Sequence, residues 1–359
     1  MSINKKYIGI LLIATAMLLS ACSSDNTEAQ TDTTGNEPVG KEVQLMSYAS
    51  PFTDKELARR AVPAGFTAYT PDKTTYMGVY MLLSEKPATD WASPEERRIT
   101  YNTSTGKWNA YFEVEKNKTF TVYGYMPKTG DMSSTLAKTV TAAATLTISN
   151  MKPVTTDDIC IITGVKDKDD GLKEGQFSWS TPMEEVSTYK ICLLMDHLYA
   201  AAQFRLRISS DYALLRTIKL KTMTLSTNKG SVDATVSLTH NTTGASPITG
   251  SITYSLLGTN GAAEVFSSEE GTALDKTTPL SVNAYFAPGL SSNLTLVSTY
   301  DVYDSKGNLI RQNCTATNKL PNLNAVRGQR VLLNMTVNPT YLYVLSDPDL
   351  DNPTITIGN

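Results

Sequence analysis

The chain has 359 residues, with 32 lysines and arginines against 35 aspartates and glutamates, for a formal net charge of -3. So slight and negative a balance offers no field for holding a nucleic-acid backbone, and that class of partner is set aside. The length is generous for one hydrophobic core and suits two domains of ordinary size.

At the N-terminus Lys5 and Lys6 precede an apolar run over residues 8–19, which ends in the small residues Ser20 and Ala21. This is the layout of a secretory signal peptide over residues 1–21, too short for a permanent membrane span. Leu19-Ser20-Ala21-Cys22 resembles a bacterial lipobox, which makes Cys22 the expected lipidation site and the first residue of the mature chain. Acyl chains on one residue hold a protein to a membrane without crossing it. Residues 22–40 are polar, small and acidic, so they bury too little surface to offset their ordering entropy and read as a flexible tether.

Beyond the tether, short alternating or β-branched runs are separated by turn residues. Residues 74–83 (TTYMGVYMLL) read as a buried strand. Residues 107–115 (KWNAYFEVE) and 118–125 (KTFTVYGY) read as a hairpin around Glu115, Lys116 and Asn117. Residues 218–226 and 234–239 are expected to pair across Asn228-Lys229-Gly230, and residues 294–303 with 309–314 across the turn at 304–308. A short helix is expected near Glu95 to Arg98, with Ser93 as cap and Pro94 in the first helical position. The pattern predicts an all-β protein of two tandem antiparallel β-sandwich domains, residues 41–182 and 183–359. The charged loop at 167–175 and Ser180-Thr181-Pro182 mark the break. Residues 189–208 then open the second domain.

Little in the chain points to chemistry. After Cys22, Cys160, Cys192 and Cys314 permit at most one disulfide. No CxxC occurs and the two histidines, His197 and His240, stand far apart, so neither a metal site nor a cofactor is expected. His197 lies in an apolar run and reads as a satisfied core or interface residue. Nucleophile-elbow, zinc-protease and P-loop patterns are absent from the sequence, and no residue is assigned a catalytic role, so the chain does not read as an enzyme.

Four segments together resemble the fimbrillin-like family of Bacteroidota surface lipoproteins, which includes the type V pilins. They are the lipobox and tether; residues 42–52 (EVQLMSYASPF) followed by Arg59-Arg60 before Ala61; residues 99–127, ending in an aromatic-rich strand and Pro127; and Asp158-Ile159 with Asp196-His197-Leu198. In the last segment the family often carries an aromatic two residues before the histidine, a place held here by Met195.

The resemblance implies transthyretin-like sandwiches and a structural role in a pilus. An Arg-specific surface protease would cut after Arg60, or after Arg59, and remove the first strand, with Val43, Leu45 and Ser47 on its inner face. A strand from another pilin subunit would fill the groove, supplied by Tyr341, Leu342, Tyr343, Val344 and Leu345 within the tail 340–359 and continued by residues 354–357. The expected location is the outer membrane, through lipid on Cys22, or the fimbria itself. A reading of a different class is an anchored surface lipoprotein that presents Trp91, Trp108 or Trp179 to a glycan or another host ligand.

Overall fold

The computed structural model describes residues 40–54, 66–84, 94–139, 143–241, 252–338 and 353–357. Cys22, Arg59, Arg60, Ala61, Trp91 and residues 341–345 lie outside them.

The described chain is mostly strand, with very little helix. It opens with β1 (Lys41–Ala49), β2 (Thr53–Asp54) and β3 (Thr67–Ala68), then β4 (Thr75–Leu83), β5 (Arg97–Asn102), β6 (Lys107–Asn109) and β7 (Tyr111–Phe112). Next come β8 (Thr119–Met126), β9 (Ser133–Thr139), β10 (Ala143–Met151), β11 (Val154–Thr155), β12 (Cys160–Lys166) and β13 (Ser178–Ser180). β14 (Tyr189–His197) and β15 (Ala200–Ile208) are parted only by Leu198 and Tyr199, and a one-turn helix, α1 (Ser210–Ala213), leads to β16 (Arg216–Thr227). The rest is β17 (Ser231–Thr239), β18 (Ile252–Leu257), β19 (Gly261–Ala273), β20 (Leu280–Phe286), β21 (Leu294–Asp304), β22 (Leu309–Lys319), β23 (Gln329–Val337) and β24 (Thr354–Ile357).

A ten-stranded sheet runs β3-β1-β14-β12-β8-β4-β5-β6, with β13 beside β8. Because β7 pairs back onto β1, this sheet closes around its own interior. Period-two alternation sends Val43, Leu45, Met77, Val79, Ile99, Phe120, Val122, Ile191 and Leu193 into that interior. Tyr80, Tyr123, Tyr125 and Ile161 face the other way. There they join a core shared with the sheets β18-β17-β10-β9, β11-β20-β15-β23-β2 and β19-β16-β21-β22. β14, covered on both faces, is buried at every position but Lys190. Close backbone approach fixes one glycine: a Cβ on Gly124 would lie 2.4 Å from the Gly78 carbonyl oxygen of β4.

The all-β expectation holds, with parallel pairs inside it: β1 with β14, β15 with β23 and β2 with β23. Main-chain pairing also crosses the 182/183 division, since β14 lies in the first sheet, and β10 pairs with β17. The chain passes from the first sheet to the third at Leu198 and Tyr199.

Three local expectations are corrected. Arg97 and Arg98 are extended, not helical, because Ile99 and Tyr101 of β5 fill the core and Arg98 lies over the Tyr76 ring of β4 at 3.6 Å. The segments at 107–115 and 118–125 do not form a hairpin: β6 pairs with β5, β7 with β1, and β8 with β4 and β12. β16 and β17 lie in different sheets, so Asn228-Lys229-Gly230 is a crossing between layers. The β21–β22 hairpin forms as expected, with Gly307 at positive φ in its turn.

Candidate functional site

The first strand is paired along both of its edges. β1 runs parallel to β14 in unbroken register from Val43 opposite Tyr189 to Ala49 opposite Met195. Its other edge is antiparallel to β7 near Lys41 and to β3 near Tyr48, and the Val43 amide donates to the Ala110 carbonyl at 2.9 Å. Val43, Leu45, Ser47 and Ala49 all point inward, the face assigned from the sequence. Ser47 meets its burial by donating from Oγ to the Tyr69 carbonyl at 2.9 Å, while the Tyr69 amide donates to the Ser47 carbonyl at 2.8 Å.

Beyond β1 the chain turns a corner held by His197. The imidazole Nε2 donates to the Ser50 carbonyl at 2.6 Å, and its Nδ1 lies 2.8 Å from Oδ2 of Asp158. Phe52 stacks on the ring with centroids 3.8 Å apart. Burial pulls the His197 pKa down, but the Asp158 hydrogen bond and charge, with the Ser50 carbonyl, outweigh it and leave the pKa raised. His197 is therefore the satisfied interface residue expected from sequence. Asp196 beside it accepts from Arg327 at 2.6 Å, and Arg327 also reaches the His197 carbonyl.

After the corner, β2 pairs in parallel with Gln329 and Arg330 at the start of β23, and Asp54 takes an ion pair from Arg330 at 2.6 Å. One segment, residues 41–54, thus closes the first sheet and covers part of the third. Sequence reasoning found β1 and missed Phe52, β2 and Arg330. An aromatic placed directly after Pro51 was the one available signal. β24 occupies the same edge of β23 further along, from Leu333 opposite Ile357 to Thr336 opposite Thr354. Residues 354–357, expected to continue a donor strand, are here paired within their own chain.

Other assignments resolve simply. Trp108 and Trp179 are core residues, the first packed edge-on against Tyr101 and the second donating from its indole to the Lys190 carbonyl at 2.9 Å, so neither offers a free ring face. Cys160, Cys192 and Cys314 are not joined in disulfides. Burial, then Asp158, hold the Cys160 thiol well above its ordinary pKa.

No protein-family model matches the sequence, and no curated protein does. Solved structures do. The chain is similar in structure to Bacteroides cell adhesion and fimbrial proteins. A candidate cell adhesion protein from Bacteroides ovatus has a TM-score of 0.38 at 11% identity, over 89% of this chain and 96% of that one. One from Bacteroides fragilis has 0.39 at 9% identity, over 89% and 97%. A fimbrial protein from Bacteroides vulgatus has 0.35 at 13% identity, over 87% and 99%. At values this low, function does not transfer from these structures to this chain.

Proposed function

We propose that the chain is a structural subunit of a bacterial surface fimbria, assembled by exchange of its first strand for a strand from another subunit. The observation that carries this reading is the way residues 41–54 are held. β1 is joined to β14 by no hairpin, so its place along that edge depends on no turn. A strand from another molecule can occupy the same edge in the same direction.

Magnitudes then require a replacement. Burying Val43 and Leu45 contributes about 3–6 kcal/mol at about 1.5–3 kcal/mol per side chain. A domain's whole stability is only about 5–15 kcal/mol. A chain stripped of β1 therefore carries an open groove with an apolar floor and an unpaired β14 edge, a surface that either captures a strand or aggregates.

In this reading Arg59 and Arg60 are the processing site for an Arg-specific protease. Cleavage there removes β1 and β2 together, opening β14 and the start of β23 in one step. The tail 340–359 is the donor, with residues 341–345 as its apolar part. Release of the four-residue edge strand β24 is the step that frees it. Cys22 anchors the precursor to the outer membrane. The glycan-binding alternative loses two of its three tryptophans to the core.

The test is digestion of the purified full-length chain by an Arg-specific protease, followed by an unheated SDS gel. The reading predicts an N-terminus at Ala61 or Arg60 with a ladder of multimers that collapses on boiling, and monomer only in a double Arg59→Ala, Arg60→Ala variant. Complete cleavage that leaves only monomer contradicts it.

A further inference from the structure

We propose that Asp158, Cys160 and His197 bind one divalent cation of the zinc class. Linear spacing hides this set, because residues 158 and 160 meet residue 197 only through the β12–β14 pairing, in which Cys160 is the direct partner of His197. All three are buried, and their ligand atoms lie within 4.8 Å of one another. Thiolate, imidazole and carboxylate together form a donor set that favours zinc over magnesium or calcium.

The distances fit that ion. Zinc holds sulfur at about 2.3 Å and nitrogen at about 2.0–2.1 Å, so a tetrahedral site separates the two by about 3.5 Å. Here Sγ of Cys160 is 3.6 Å from Nδ1 of His197. A carboxylate oxygen on the same ion belongs about 3.3 Å from that nitrogen. The Asp158 oxygens stand at 2.8 and 3.0 Å, so Asp158 has to withdraw by only a few tenths of an ångström.

Two further observations point the same way. A metal-bound histidine usually gives its second ring nitrogen to a carbonyl or carboxylate, which fixes the ring. Nε2 of His197 does so to Ser50, and Phe52 fixes the ring plane. There is also a way in: a cleft of about 270 Å³, lined by Tyr69, Asp72, Asp157 and Tyr285 among others, has Asp158 in its wall. Its lining carries Asp72, Asp157 and Asp158 against one cation, Lys73, which pairs with Asp157, and the cleft brings solvent to the Asp158 side of the cluster. The ion would tie β12 to β14 and stiffen the histidine that holds the end of β1. The three ligands lie outside residues 41–54 and remain when that segment is removed, whereas the Ser50 and Phe52 contacts to His197 leave with it, so the site is tested on the full-length chain.

The competing account is a buried Asp158–His197 ion pair beside an unrelated thiol, and the experiment separates the two. Purified full-length protein is incubated with excess Zn²⁺ or Co²⁺, desalted, and measured by elemental mass spectrometry and by absorption. The expected result is about one metal per chain, with a near-ultraviolet thiolate-to-cobalt band and tetrahedral visible bands. Cys160→Ser abolishes the thiolate band, Asp158→Asn weakens retention by more than about tenfold, and Cys314→Ser changes neither. Should the buried variants fail to fold, X-ray absorption of the wild-type zinc form decides, with one sulfur in the first shell expected. Metal below a tenth of an equivalent, a first shell without sulfur, or a thiolate band that survives in Cys160→Ser overturns the proposal.

Discussion

At the scale of single residues, the inner face of β1 separates side chains that hold the strand from those that decorate it. Leu45 is buried and its neighbour Gln44 is exposed, one residue apart on the same ladder. Leu45→Ala leaves a cavity against the first core and is expected to cost about 2–3 kcal/mol. Gln44→Ala faces solvent and should stay within about 0.5 kcal/mol. Urea denaturation of the full-length chain measures both, and equal losses would mean that β1 is not seated as described. This alternation was legible in the sequence because Val43, Leu45 and Ser47 fall on one side of a period of two. The partners of Ser47 and His197 were not. The Tyr69 carbonyl, Asp158 and Ser50 reach them from distant parts of the chain, and no local pattern announces a tertiary hydrogen bond.

At the scale of elements, β1 is a strand that can be locked in place. Met46 lies directly opposite Cys192 in the parallel register, and neighbouring strands stand about 4.7–4.9 Å apart, inside the range a disulfide spans. Met46→Cys therefore supplies the missing half of a bridge to a cysteine already present. Burial, then Asp169 and Asp167, push the Cys192 thiol up to about 11, so oxidation needs a catalyst such as copper–phenanthroline. The oxidised variant should still be cut at Arg60 yet fail to form multimers, and reductant should restore them. Multimers formed with the bridge intact would show that β1 need not leave. Element types were mostly readable from composition and alternation, while partners were not. The pairing of β6, β7 and β8 follows from closure of the first sheet, a non-local event. Pro94 suggested a helix that the burial of Ile99 and Tyr101 overrides.

At the scale of the whole molecule, the sheets do not respect a simple cut between halves. β14 belongs to the first sheet and β15 to the third, and the β10–β17 pairing joins strands from either side of the expected division. A break read from charged loops and prolines marks where the chain is at the surface, and sheet membership is settled by partners far along the sequence. In this architecture residues 41–54 bridge the closed sheet and the edge of β23. In the proposed assembly this stretch is exchanged for a strand from another subunit. The measurement that tests it most directly is the intact mass of the protein taken from the native cell surface, with an unheated SDS gel of the same sample. The account predicts a mature chain that begins at Ala61 or Arg60 and a ladder that collapses on boiling. A monomer that still begins at lipidated Cys22 and keeps β1 would contradict it.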